Sequence, residues 1–316
     1  MGGANRRPGA STMRLGGVQE SRVREYEREL PEADKVFTLA SGDLRERGWH
    51  RLQRREDEYG AALPWAKTRT RFRLRPSETT IWAGPNGSMK SLMTNFVLAH
   101  LAFHGERVFV ASLELTADDQ IARIARQMLC NPYPTRARYD ALMDRLGESL
   151  MVYDFVGQMR PERAVALARY AATDLQARHV LIDNLTMAVP PGRDSDEKGA
   201  RFVAGLYQVG RDTGAHMNLI CHVRKPDDDS RILNRYDIRG TGAAPDQVDN
   251  VVMLQINEPK RRAINSGSDS KRDEPDLLMT VDKQRHGGFR GRLGFWFYER
   301  SLRLVESNVE TPQDYE

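Results

Sequence analysis

The chain of 316 residues has room for one large domain with extensions. Hydrophobic residues make up 40% and charged residues 29%, enough for a core, and no apolar run approaches a membrane span of roughly 18–20 residues. The net charge of +4 lies early: residues 1–75 hold 17 Lys and Arg against 11 Asp and Glu, and the remainder 31 against 33. That surplus suits a polyanionic neighbour without identifying one. Arg6 and Arg7 precede no apolar stretch, so no signal peptide is expected. Two distant cysteines, Cys130 and Cys221, read as structural thiols in a reducing compartment. These signals point to the cytoplasm and away from membranes.

Residues 1–18 are rich in glycine (Gly2, Gly3, Gly9, Gly16, Gly17), lack periodicity and are expected to be disordered. Residues 19–60 carry helical patterning broken near Pro31 and Gly42. The stretch 43–59 has Leu44, Trp49 and Leu52 as its main apolar positions, too few to bury it alone. It is either a linker helix that docks on another surface or a solvated arm, and residues 1–60 form an N-terminal extension. Lys67–Arg75 alternates strictly, which predicts an extended segment with Phe72 and Leu74 inward and a basic stripe outward. The stripe suits a phosphate-tracking edge or an edge strand charged against aggregation.

From residue 78 strands and helices alternate. Strands are predicted at Thr79–Ala83, Arg107–Leu113, Met151–Phe155, His179–Leu185 and His216–Val223. Helices are predicted at Ser91–Phe103, 117–129, 160–177 and 196–213. Apolar strands separated by helices imply an α/β fold with a mostly parallel central sheet flanked by helices. Asn250–Ile256, Leu277–Lys283 and Arg292–Glu299 then read as consecutive antiparallel strands, and 260–272 as a surface loop. The main domain spans 61–306, and 307–316 is a tail.

Between the first strand and first helix of this domain runs Gly84-Pro85-Asn86-Gly87-Ser88-Met89-Lys90-Ser91. A glycine-bearing turn feeding a helix N-terminus presents backbone N–H groups to a polyphosphate. Lys90 suits the β- and γ-phosphates, and the Ser91 hydroxyl suits Mg²⁺. Met89 stands where the phosphate-loop pattern wants glycine, so nucleotide geometry or turnover is expected to be altered. The bland alternative is a glycine-rich turn with an exposed lysine. In open α/β sheets ligands sit at the carboxyl ends of strands, and three polar residues fall there. Asp183 can support a metal's hydration shell, or simply cap its strand. Glu114 can polarise the attacking water, or cap a helix or join a surface salt bridge. His222 can hydrogen-bond a γ-phosphate, although a lone histidine at a strand end is usually inert.

Six blocks, in order, resemble the RecA-like motor domain of hexameric replicative DNA helicases of the DnaB type and phage primase-helicases. They are Gly84–Ser91, Ser112–Leu115, Leu181–Leu185, Ile220–Pro226, Asp237–Ala243 and Asp282–Gly288. The resemblance spans roughly residues 60–305 and implies a RecA-like P-loop NTPase. It implies ATP, or another NTP or dNTP, as substrate with Mg²⁺ held by Ser91 and Asp183, Glu114 activating water, and His222 sensing the γ-phosphate. Lys283 and Arg285 would act on nucleotide bound by the next subunit. Arg224, Lys225, Arg231, Arg235, Arg239, Gly240 and Gly242 would line a channel for single-stranded DNA, although Asp227, Asp228 and Asp229 in that stretch would repel phosphate. The implied activity is a ring-forming, ATP-dependent helicase, hexameric and phage-encoded, working on forked DNA in host cytoplasm. The residues ahead of the motor are too few for a primase domain, so primase and other replisome components would be separate chains. The alternatives are a RecA- or RadA-like recombination ATPase, or a non-catalytic nucleotide-dependent loader or accessory protein.

Overall fold

The computed structural model describes residues 20–26, 42–53, 55, 58–224, 228, 231–240 and 244–315. The expected disorder of residues 1–18 lies outside the described residues. Two helices, α1 (Glu20–Tyr26) and α2 (Gly42–Leu52), precede an antiparallel ribbon of β1 (Ala61–Ala62) and β2 (Arg73–Leu74). Then come β3 (Thr79–Gly84), α3 (Lys90–Phe103), β4 (Val108–Ser112), α4 (Ala117–Met128), α5 (Arg136–Leu146), β5 (Leu150–Tyr153) and α6 (Pro161–Thr173). They are followed by β6 (His179–Asp183), the short α7 (Leu185–Ala188), α8 (Ser195–Thr213), β7 (His216–His222) and α9 (Ala244–Gln247). The chain continues through β8 (Asn250–Ile256), α10 (Glu258–Asn265), β9 (Leu277–Gln284), β10 (Gly291–Tyr298) and β11 (Arg303–Val305).

Nine strands form one sheet in the order β11-β10-β9-β8-β3-β7-β6-β4-β5. The six from β8 to β5 are mutually parallel, and β9, β10 and β11 continue the sheet antiparallel. The architecture is the expected one. Its central strands are buried almost throughout because both faces are covered, and the period of two sends alternate residues to different cores. Ile81, Ala83, Val180, Ile182, Leu219 and Cys221 join one core with Phe202 and Leu206 of α8. Trp82, Leu181 and Ile220 join the other, with Met93 and Phe96 of α3. The Ile, Val, Leu, Met and Phe side chains among them each contribute about 1.5–3 kcal/mol by leaving water. Thr116 and Thr135 cap α4 and α5 by accepting from the backbone N–H of Asp119 and Arg138. Cys130 and Cys221 are both free. Among the described residues, no helix is long and apolar enough to cross a membrane.

Four local expectations need correction. Lys67–Arg75 is not one extended strand: Ala66–Thr68 is a 3-10 turn, and only Arg73–Leu74 pairs as β-structure. The turn forms because Glu306 accepts from the backbone N–H of Ala66 (2.8 Å) and Lys67 (2.7 Å), while the Lys67 ammonium donates to the Gly294 and Glu306 carbonyls. Phe72 and Leu74 do face the core, but Arg75 is buried too, so no continuous basic stripe exists. The segment 260–272 is not merely a loop. Asn257 caps α10, and Lys260 is buried against Asp276 (2.7 Å) and the Glu274 carbonyl (2.6 Å). The helix expected over 43–59 ends at Leu52, with Trp49 57% and Leu52 78% exposed. The helix expected over 160–177 ends at Thr173, ahead of Gln176 at φ 54°.

Candidate nucleotide site

The parallel register brings the predicted site residues to one edge of the sheet. Gly84 pairs with His222 across β3 and β7, and Ser112 pairs with Asp183 across β4 and β6. The loop from Gly84 to Ser91, the end of β6, the end of β7 and Glu114 just beyond β4 therefore meet at the carboxyl ends of the strands. Gly84 is required by a close approach: a Cβ there would lie 2.2 Å from the Leu254 carbonyl oxygen and 2.4 Å from Ser88 Oγ. Met89 takes φ 59°, ψ 22°, the left-handed conformation that glycine would adopt without cost, and its side chain packs against the α3 core. The loop thus keeps the shape that a glycine would give it, at about 1–2 kcal/mol of backbone strain.

Lys90 opens α3 and is largely buried. Its ammonium donates to the Gly84 (3.0 Å) and Pro85 (2.7 Å) carbonyls, and burial pushes its pKa down to about 8. Asp183 is buried beneath the loop, and burial raises its carboxyl to about 6 against the lowering effect of a hydrogen bond with Ser91. Its Oδ1 has no hydrogen-bond partner among the described residues. A buried, unsatisfied carboxylate oxygen beside a serine hydroxyl at the foot of a phosphate loop fits Mg²⁺, which takes few protein ligands and completes its shell with water and phosphate oxygens. Among the described residues, no group of three or more His, Cys, Asp or Glu gathers for an all-protein metal site.

Glu114 and His222 are linked by a residue that the sequence reading assigned no role. The Asn184 amide Nδ2 donates to Glu114 Oε1 (2.7 Å) and to His222 Nε2 (3.0 Å). Its Oδ1 accepts from Met187 N (3.2 Å), capping α7. The only sequence signal for Asn184 is its place after the carboxylate at a strand end. Burial and the nearby Lys90 lower the His222 pKa, favouring the neutral ring that can accept this bond.

A cavity of about 970 Å³ opens from this cluster, lined by Asn86, Gly87, Glu114, His222, Arg224 and Arg239 among others. Arg224 and Arg239 stand at the base of the loop after β7, where Val223 bridges Ile238 and the Arg239 N–H donates to the His222 carbonyl (2.9 Å). Among the described residues their guanidinium groups make no hydrogen bond or ion pair, whereas two other predicted cations are neutralised. Arg231 pairs with Asp237 (2.7 Å), and Arg235 pairs with Asp246 (3.1 Å) and Asp282 (3.5 Å). Gly240 has φ 69° and borders the same cavity. Lys225 and Gly242 lie outside the described residues.

Lys283 and Arg285 are not brought to this cluster. The antiparallel β9 carries them to the opposite edge, where Val251 pairs with Lys283 and the Arg285 N–H donates to the Asp249 carbonyl. The Lys283 ammonium donates to the Asp246 carbonyl (2.6 Å). The Arg285 guanidinium contacts Tyr207 Oη (3.0 Å), the Gln247 carbonyl (3.1 Å) and the buried Asp249 carboxylate (3.3 Å).

A family model described as an AAA domain matches residues 50–228. The chain belongs to the AAA domain family. Membership implies nucleotide binding, and the match takes in the loop, Glu114, Asp183 and His222. The chain is 25% identical over 229 residues to a protein of Enterobacteria phage T3 named DNA helicase/primase, an alignment that covers 66% of this chain. The chain spans 38% of that relative's length. In fold it is similar to a solved ATPase domain at TM-score 0.69, with 12% identity, covering 86% of this chain and 99% of that one. It is also similar to a DnaB-like replicative helicase solved in a study of its interactions with primase. There the TM-score is 0.67 and the identity 13%, covering 85% of this chain and 68% of that one. The fold is the RecA-like fold of DnaB-like helicase ATPase domains.

Proposed function

We propose that this AAA domain is the motor of a ring-forming, ATP-dependent DNA helicase that translocates on single-stranded DNA. The observation that carries the reading is the shared cavity. Glu114 and His222 from the nucleotide cluster line the same space as Arg224 and Arg239, two cations without a hydrogen bond or ion pair among the described residues. A polyphosphate and a nucleic-acid backbone would then be handled side by side, as a nucleotide-driven translocase requires. The T3 relative's name and the DnaB-like fold support the same choice.

In this reading the 84–91 loop cradles the triphosphate with its N–H groups. Lys90 would leave the Gly84 and Pro85 carbonyls for phosphate oxygens, and that contact would restore the full charge that burial has weakened. Ser91 and Asp183 would hold Mg²⁺, whose chemistry when bound is to neutralise phosphate charge. Glu114 would take a proton from the attacking water. Lys283 and Arg285 sit at the sheet edge away from their own loop, so they would act only on nucleotide held by a second copy of the chain. That arrangement makes hydrolysis depend on assembly into a ring. A separate primase would supply priming, and forked DNA would be the working substrate.

The test is ATP turnover with and without single-stranded DNA, unwinding of a forked duplex, and sizing with a nonhydrolysable nucleotide. DNA-stimulated turnover, unwinding and a closed oligomer are expected. Absence of turnover under both conditions would reject the motor, and turnover without unwinding would favour a recombination ATPase.

A further inference from the structure

Asn184 is fully buried and both N–H groups of its amide are engaged. One N–H goes to Glu114 and the other to His222, while the carbonyl oxygen receives the Met187 N–H. The Met187 contact fixes which end of the amide is oxygen, so both donors must face the cluster. Among the described residues, Asn184 is the only hydrogen-bond partner of the Glu114 side chain, which is otherwise 46% exposed. Glu114 and His222 lie 4.0 Å apart, beyond a direct hydrogen bond. The Asn184 amide is thus the hydrogen-bonded link between the two side chains.

His222 is tied on its other side to the cationic loop. Its carbonyl accepts the Arg239 N–H, its neighbour Val223 bridges Ile238, and the Arg224 N–H donates to the Asp237 carbonyl. Arg224 and Arg239 thus sit on the backbone segments that hold His222 in place.

We infer that Asn184 is a positioning residue that couples a polyanion bound at Arg224 and Arg239 to the Glu114 carboxylate by way of His222. The inference rests on the motor reading above and adds to it the part that makes turnover respond to DNA. Asn184 touches neither phosphate nor water in this role; it sets where Glu114 stands when the loop is loaded and when it is not.

The variant Asn184→Ser tests this, because serine retains a cap for α7 while its short hydroxyl cannot reach both partners. In the full chain with Mg²⁺ and ATP, turnover is measured with and without a single-stranded oligothymidylate, and affinity with a fluorescent ATP analogue. Wild type is expected to be stimulated by the oligonucleotide. The variant should keep its affinity and KM within about threefold while the ratio of stimulated to basal kcat falls towards one. A variant stimulated as strongly as wild type would overturn the coupling and leave the motor reading intact. A wild type without turnover would remove both. Independently of the variant's folding, histidine nitrogen NMR of the wild type should show a neutral His222 with its proton on Nδ1. A proton on Nε2 would overturn the inference, since Asn184 could not then donate to it.

Discussion

The two edges of the central sheet are built on opposite terms. At the carboxyl edge, polar groups are left with capacity to spare: Asp183 Oδ1 and Ser88 Oγ are buried without partners, and Arg224 and Arg239 carry no counter-ion among the described residues. At the amino edge, polar groups are buried in a network of mutual hydrogen bonds and ion pairs, although Glu78 Oε1, Thr79 Oγ1, His179 Nδ1 and Asn250 Oδ1 also lack a partner among the described residues. His216 Nδ1 donates to the Arg75 carbonyl (2.6 Å), and its Nε2 meets Thr80 Oγ1 (2.9 Å), which also accepts from Asn250. Asp249 accepts from Thr79 N and Arg211 and forms an ion pair with Arg285 (3.3 Å). At the first edge the unsatisfied groups lie beside a cavity whose ligand can complete them, while the network at the second fixes the strands that position that ligand. Substitutions at the first edge should therefore change chemistry at nearly constant stability, and those at the second should change stability.

The largest expected effect tests one residue that crosses this division. Arg285 sits at the amino edge, yet is assigned to hydrolysis on a neighbouring copy. Arg285→Ala should lower turnover by about 10³-fold, with nucleotide affinity preserved, in steady-state ATPase and binding assays. Loss of affinity instead would make Arg285 purely structural. Asp249→Ala removes the fully buried carboxylate beneath it and should destabilise the fold by about 3–5 kcal/mol in urea unfolding. A loss below 1 kcal/mol would show that the amino-edge network does not carry the stability assigned to it here.

Acid should act on the same edge. Burial pushes His216 down to about 4 and His179 to about 3, from 6.5. The unfolded chain takes up protons that the folded chain refuses, so stability is fully present above about 6.5 and falls as pH drops towards 4. His216 alone should account for about 3 kcal/mol of that loss. A denaturation midpoint unchanged between pH 7.5 and pH 5 would contradict it. The smallest expected effect lies on the other edge. Met89→Gly relieves left-handed strain but gives up packing and adds backbone freedom, so melting should shift by no more than about 1 kcal/mol in either direction. Nucleotide affinity should stay near wild type, because the loop already has its shape.

The carboxyl edge is largely legible in the sequence. Buried parallel strands are short apolar runs, and Gly84, Asp183 and His222 end theirs. What escaped depends on contacts between distant segments. Strict alternation over Lys67–Arg75 gave way to a turn because Glu306, more than 200 residues away, captures two of its N–H groups. The helix α5 buries only Leu142 and Leu146 and leaves no apolar stripe to read. Lys260 looks like a solvated residue until Asp276 and Glu274 close over it. Asn184 carries no pattern at all: its importance comes from two side chains, on β7 and beyond β4, that only the fold brings to it. Opposed charges hid a further distinction, since nothing in the local order of residues separates Arg231 and Arg235, which are paired, from Arg224 and Arg239, which have no partner among the described residues.

The methionine ahead of Lys90 also bears on how such chains are recognised. Its backbone angles show that the turn belongs to the surrounding framework, held by β3, α3 and the Leu254 carbonyl, and does not depend on an achiral residue at that point. A search pattern demanding glycine before the lysine would pass over this polypeptide while its nucleotide cradle stands intact. Asparagine, which enters left-handed geometry more readily than most side chains, is the next replacement that such a framework should accept.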